Sequence, residues 1–150
     1  MIAVVQRTKK ASVTVRGIKI ASIGKGLLIL LGIENADNHE DIDWLCRKIV
    51  NLRIFDDANG VMNINCRDVN AELLVVSQFT LHASVKKGNR PSYINAARPE
   101  AAIPLYELFL SQMKKEYNGI VEAGEFGANM QVKLINDGPV TIIIDTKNKK

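Results

Sequence analysis

Ser77, Gln78 and Thr80 stand where an apolar run turns abruptly polar. The stretch 73–83 reads LLVVSQFTLHA, and Leu73, Leu74, Val75 and Val76 run without a polar break. Such a run is expected of a strand buried on both faces. Two hydroxyls and an amide at its end, with Phe79 between them, set polar groups at the lip of a core, where pockets form. A plainer reading makes Ser77 and Thr80 strand-end residues that bond nearby backbone. On the residues alone both readings stand.

A hydroxyl nucleophile needs a base. His82 shares a strand face with Thr80 if the strand runs on through residue 83. Nothing else in the sequence supports that pairing, or a Cys66–His82 dyad. His39, at the start of a predicted helix, has no evident partner. The sequence lacks a G-x-S-x-G elbow, an H-E-x-x-H motif, a P-loop and a dinucleotide-binding glycine fingerprint.

The second notable stretch is NDGPVTIIID at 136–145. It has strand composition, interrupted by Gly138 and Pro139. Proline cannot donate to a sheet ladder, so it belongs at an edge, a bulge or a break. Glycine before it reaches backbone angles that other residues avoid. The pair reads as a built-in kink. The third stretch is the polar loop 84–99, which holds Lys86, Lys87 and Arg90 with Tyr93 nearby. This cluster is either a solvated loop or a contact for a phosphate backbone, which needs positive charge and no particular base sequence.

The elements that position these stretches follow from periodicity. Residues 2–8 and 12–16 read as strands, and 12–16 forms a hairpin with 18–23 through Gly17. Residues 27–33 form an apolar, central strand. Asp37 or Asn38 caps a helix whose buried stripe is Ile42, Leu45, Cys46, Ile49 and Leu52. Pro99 opens a second helix with Ala102, Leu105, Phe109 and Met113 inward. Pro104 requires it to start later or to bend, and Asn118-Gly119 ends it. Residues 128–135 and 140–145 form the last strands, on either side of the kink. The result is one α+β domain over 1–145, with a mostly antiparallel sheet curled toward a barrel and two main helices. A basic tail, 146–150, frays.

Composition sets limits. The formal charge is +4, and Lys147, Lys149 and Lys150 supply three of the positive charges. Overall charge therefore does not announce a nucleic-acid binder. The two cysteines, Cys46 and Cys66, are too few for a disulfide scaffold and lack metal-site spacing. No apolar run reaches the roughly 18 residues of a membrane span. The opening MIAVVQR enters strand-like sequence directly, which favours a cytoplasmic protein.

SQFTLHA at 77–83 together with NDGPVT at 136–141 resembles the two signature motifs of the D-aminoacyl-tRNA deacylase family. MIAVVQRTKKASVTV at the start, GLLILLGI at 26–33, LRIF at 52–55, KKGNRPSY at 86–93 and FGANMQV at 126–132 resemble the same family in the same order. The likeness covers nearly the whole chain apart from its last residues. It implies the fold of that family and hydrolysis of the ester joining a D-amino acid to the tRNA 3′ end. It also implies activity on glycyl-tRNA mischarged on the alanine tRNA.

The resemblance further implies a homodimer with its active site at the subunit interface, and neither cofactor nor metal. Ser77, Gln78, Phe79 and Thr80 then act mainly through backbone groups and positioning, with the substrate's terminal ribose 2′-OH taking part. Gly138 and Pro139, joined by a cis bond, exclude L side chains from the partner subunit's pocket. Met130 is a pocket wall, and Ala102 a small position near the terminal adenosine. The family motif does not require a histidine at His82. Lys86, Lys87 and Arg90 become candidates for the tRNA backbone, with no DNA and no membrane as partner. The competing readings are a non-catalytic tRNA-binding protein and a small-ester hydrolase with Thr80 as nucleophile.

Overall fold

Leu73, Leu74, Val75 and Val76 are at most 1% exposed, which only cover on both faces of the strand allows. The computed structural model describes residues 1–149. Its strands are β1 (Ile2–Val15), β2 (Ile18–Ile23), β3 (Gly26–Gly32), β4 (Phe55–Asp56), β5 (Met62–Ile64), β6 (Glu72–Ser77), β7 (Val121–Ala123) and β8 (Met130–Asp145). Two helices, α1 (His39–Asn51) and α2 (Pro99–Glu116), and a 3₁₀ turn (Phe79–His82) complete it.

The main sheet runs β2-β1-β3-β6-β7, and β8 pairs with β1. The first half of β1 lies between β3 and β8, and its second half between β2 and β8. Two irregularities on either side of Thr8 separate the halves. Bulges bend a strand and increase its twist. Here they fold the second half of β1, with β2 and the start of β8, back over the sheet. Ala11, Val13 and Val15 thereby pack on Leu28, Leu74 and Val76. The opposite face of β3 and β6, through Leu27, Ile29, Leu73 and Val75, meets the helices at Ile42, Leu45, Ile49 and Phe109. A curled, barrel-like sheet with two helices was the expected architecture. The sheet is mixed, however, because β6 runs parallel to both β3 and β7.

Three local expectations are corrected. Residues 2–16 do not form two strands, because β1 continues through the bulges. The last two strands are likewise one, with the Gly138-Pro139 kink inside β8. Pro104 does not delay α2, which starts at Pro99 and runs through it. Pro104 is exposed, and Glu100, whose carbonyl it leaves without an intrahelical donor, is exposed too. The helix stops at Glu116, and the extended Tyr117 donates its N–H to Met113 O at 2.9 Å.

At α1, Asn38 rather than Asp37 is the cap. Its Oδ1 accepts from Glu40 N at 2.9 Å, and Asp41 Oδ2 accepts from Asn38 N at 3.0 Å, closing a capping box. Residues 146–149 do not fray. Thr146 N donates to Met1 O at 2.9 Å, Lys147 Nζ reaches Asp41 Oδ2 at 2.6 Å, and Lys149 Nζ lies 4.5 Å from the Trp44 ring centre. Lys150 falls outside the described residues.

Candidate active site

The site begins where β6 ends. Ser77 is the last β6 residue, level with Leu31 of β3. Gln78 N donates to Leu31 O at 2.7 Å, and the chain then turns into the 3₁₀ segment. The predicted strand through residue 83 is therefore cut at 77. Gly32 permits this turn. A Cβ on Gly32 would lie 3.0 Å from Leu81 Cβ and 3.1 Å from both Gln78 O and His82 Cδ2. Only a residue without a side chain lets the turn sit so close against β3.

The turn also separates Thr80 from His82. His82 is buried, and its Nε2 has no hydrogen-bond partner among the described residues. Thr80 Oγ1 instead accepts from Gln78 Nε2 at 2.5 Å. Cys66 Sγ donates to Val50 O at 3.3 Å, and burial pushes its thiol up to about 11. Burial raises the Cys46 thiol still further, and Cys46 Sγ points at Phe109 O. Neither cysteine is available as a thiolate nucleophile.

A cavity of about 290 Å³ opens beside the turn. Ser77, Gln78 and Phe79 line one side, Ala102 of α2 another, and the loop leading into Met130 a third. Gly124 makes room for Met130, since a Cβ there would stand 2.6 Å from the Met130 sulfur. Tyr106 fixes α2 to the sheet by donating its hydroxyl to Val75 O at 3.2 Å. Burial pushes the Tyr106 phenol up to about 12, so it stays a neutral donor. Its ring centre lies 5.5 Å from that of Phe126, which also lines the cavity.

Gly138 and Pro139 lie outside this cavity and are exposed. The peptide bond between them is cis, and Gly138 has φ +136°. The kink is braced from behind. Arg7 Nε donates to Asp137 O at 2.9 Å, while Arg7 Nη1 donates to Ile54 O at 2.8 Å and to Asp56 Oδ1 at 3.1 Å. Val140 N donates to Asn136 Oδ1 at 2.8 Å. A side chain on Gly138 would meet Val140 Cγ2 at 2.7 Å and Arg7 Nη2 at 3.2 Å.

Lys86, Lys87 and Arg90 are exposed on a loop closed at its base by reciprocal Ser84–Ser92 backbone bonds of 2.8 and 2.9 Å. That loop reaches the cavity mouth through Tyr93, whose ring stands edge-on to Phe79 with centres 5.1 Å apart. The turn, Ala102 and Met130 thus share one cavity, while the Gly-Pro pair and the basic loop stand apart from it. Sequence reasoning missed Arg7, Gly32 and Gly124. Arg7 had one signal, a lone arginine after the strand MIAVVQ. The two glycines had none, because their role depends on what packs against them.

Fold and cavity together define an α+β protein whose pocket is bounded by turn backbone and by small and apolar side chains. Comparison with known proteins gives this class its family. The family model described as D-Tyr-tRNA(Tyr) deacylase matches residues 4–145. The D-aminoacyl-tRNA deacylase of Flavobacterium psychrophilum is 61% identical over 150 residues, covering 100% of both chains. That of Bacteroides thetaiotaomicron is 61% identical over 147 residues, 98% of each. A solved structure of a c-Myc DNA Unwinding Element Binding Protein superposes with a TM-score of 0.92 at 46% identity, covering 97% of this chain and 98% of that one. A probable eukaryotic D-amino acid tRNA deacylase superposes with a TM-score of 0.81 over 95% of this chain and 97% of that one. At 14% identity, its likeness is one of fold alone.

The chain belongs to the D-Tyr-tRNA(Tyr) deacylase family, and it is a hydrolase of that kind.

Proposed function

We propose that the cavity beside Ser77, Gln78 and Phe79 takes the aminoacyl end of D-aminoacyl-tRNA and hydrolyses its ester without a side-chain nucleophile. An aminoacyl ester is already activated, so holding it beside a water and stabilising the oxyanion suffices. Gln78 N is taken up by Leu31 O, so the backbone N–H groups of Phe79 and Thr80 at the start of the turn are the donors assigned here, with the terminal ribose 2′-OH of the substrate assisting. Water attacks the carbonyl carbon, the ester C–O bond breaks, and the ribose oxygen leaves with a proton. The products are the free D-amino acid and tRNA. The observation that carries this reading is the state of Thr80. Its hydroxyl is engaged by the Gln78 amide, and no imidazole or carboxylate bonds to it among the described residues.

Chirality is then selected by exclusion. Gly138 and Pro139 project from one protomer into the cavity of a second copy and leave no room for an L side chain. Their exposure and their position outside their own cavity support this arrangement. Glycine has no side chain to exclude, so glycyl-tRNA mischarged on the alanine tRNA is also cleaved. Ala102 leaves space for the terminal adenosine, and Lys86, Lys87 and Arg90 meet the tRNA backbone. The setting is the cytoplasm. No helix among the described residues is long and apolar enough to cross a membrane.

The test is hydrolysis of matched D- and L-tyrosyl-tRNA by the purified protein. Rapid loss of the D ester with the L ester spared supports the exclusion pocket. Equal loss of both removes Gly138-Pro139 as the filter. Loss of neither overturns the reading. A nucleic-acid binder in the manner of the relative named for a DNA unwinding element would then replace it.

A further inference from the structure

The folded-back part of the sheet has an outer face that the site does not use. On it, Ser12 of β1 is flanked by Ser22 of β2 and Lys133 of β8 in direct register. Lys10 lies two residues from Ser12, and Lys19 pairs beside Thr14 at the irregularity in β2. Lys10, Ser12, Lys19, Ser22 and Lys133 line one groove, and no acidic residue lines it with them. Among the described residues, none of the three lysines has a carboxylate within 4.0 Å. Lysines on edge strands discourage unwanted strand pairing. That reason does not reach Lys10, which lies on the central strand of the three.

The groove lies along the same two strands as a hollow that borders the cavity. That hollow, lined by Thr14, Arg16 and Gln131 with Glu125 as its one carboxylate, shares residues 126–129 with the cavity wall. Along β8, Met130 at the cavity and Lys133 at the groove are about 10 Å apart at roughly 3.3 Å per residue. Unpaired ammonium groups with serine hydroxyls between them suit phosphate oxygens, and the groove has no aromatic ring to stack on a base and no planar amide or guanidinium to bond one in a fork.

We propose that this groove holds the phosphate backbone of the substrate's acceptor arm while the aminoacyl end occupies the cavity. This rests on the deacylase reading and adds to it a second anchoring point, distinct from the loop carrying Lys86. The contact is electrostatic and independent of base sequence, so it acts on tRNA and is silent toward a substrate that ends at the adenosine.

The test is a triple variant, Lys10→Ala with Lys19→Ala and Lys133→Ala, compared with the native protein on two substrates. One is D-tyrosyl-tRNA and the other is D-tyrosyl-adenosine. The expected result is a fall in kcat/KM of about tenfold or more on the tRNA, carried by KM. Activity on the adenosine ester stays within about twofold. The slope of log affinity for uncharged tRNA against log salt should shrink by about 3, as loss of three phosphate contacts to a duplex arm requires. A tRNA kcat/KM within about twofold of native overturns the proposal. So does an equal loss on both substrates, or an equal loss from the charge-matched variant Lys48→Ala with Lys114→Ala and Lys115→Ala. If the native protein cleaves neither ester, the deacylase reading fails, and the salt slope still decides whether the groove holds tRNA.

Discussion

Arg7 holds the carbonyl of Asp137, the residue before the Gly138-Pro139 pair, through a 2.9 Å bond from its Nε. Its other arm spans to Ile54 O and Asp56, so one buried guanidinium ties β8 to the segment after α1. Arg7→Ala should leave these carbonyls without donors and cost about 1–3 kcal/mol. Arg7→Lys should recover only part, since an ammonium lacks the planar fork. The specific expectation is that discrimination between D and L esters weakens in Arg7→Ala before D-ester turnover does. Chemical denaturation and paired D/L assays measure the two effects. A variant that loses stability with unchanged chiral selectivity would show that Arg7 is only a structural tie.

Thr80→Ala removes the hydroxyl that accepts from Gln78. In a site that works through backbone and positioning, kcat should fall by about tenfold or less, the scale of one hydrogen bond. Loss of a covalent nucleophile costs on the order of 10⁶. Single-turnover rates on D-tyrosyl-tRNA separate these cases, and a loss of several orders of magnitude would make Thr80 the nucleophile.

Ala102 is 4% exposed and lines the cavity. Ala102→Phe should fill the space assigned to the adenosine and lower kcat/KM by about 100-fold, at an overpacking cost of about 1–3 kcal/mol. Full activity per folded molecule would make Ala102 an ordinary residue of the helix core.

Asp41 links the α1 cap to the C-terminal segment. Burial opposes its ionisation, but the bonds from Lys147, Thr146 and the Asn38 backbone outweigh this and hold its carboxyl below the ordinary value. The folded-state value therefore lies below the unfolded one. Its contribution to stability is fully present above about pH 4 and is lost as pH falls through the depressed value. Asp41→Asn should lower Tm at pH 7, and the gap to the native protein should close as pH falls through the depressed value. Tm against pH measures it, and a gap that persists undiminished in acid would rule out the ionised carboxylate as its source.

The double-sided burial of 73–76 was legible because four apolar residues in a row have no other economical place in a small fold. The α1 stripe from Ile42 to Ile49 and the Gly-Pro kink were legible for similar reasons of periodicity and backbone chemistry, while Leu52, expected on that stripe, lies past the helix end and is half-buried. The continuity of β1 was not. Lys9 and Lys10 prolong a polar run that reads as a break after Thr8, yet Arg7 and Thr8 are buried at a bend within one strand. The end of β6 was also hidden, because Ser77, Phe79 and Thr80 continue a plausible strand alternation. What makes room for the turn is Gly32, on the neighbouring strand and far from it in sequence. Half of the cavity could be located from motifs. The supports of Met130 and of the Gly-Pro pair depend on tertiary contacts that no local pattern records.

The single strand β8 carries Met130 at its start and Gly138-Pro139 beyond its middle. At roughly 3.3 Å per residue, up to about 26 Å of chain separates Met130 from Gly138, and Gly138 and Pro139 do not line the cavity that Met130 walls. In the proposed dimer, wall and filter are therefore inherited from different polypeptides. Mixed dimers of Ala102→Phe and Pro139→Ala chains should then contain one pocket with both defects and one with neither. Two individually impaired proteins would complement each other on mixing, restoring about half the native sites in each hybrid.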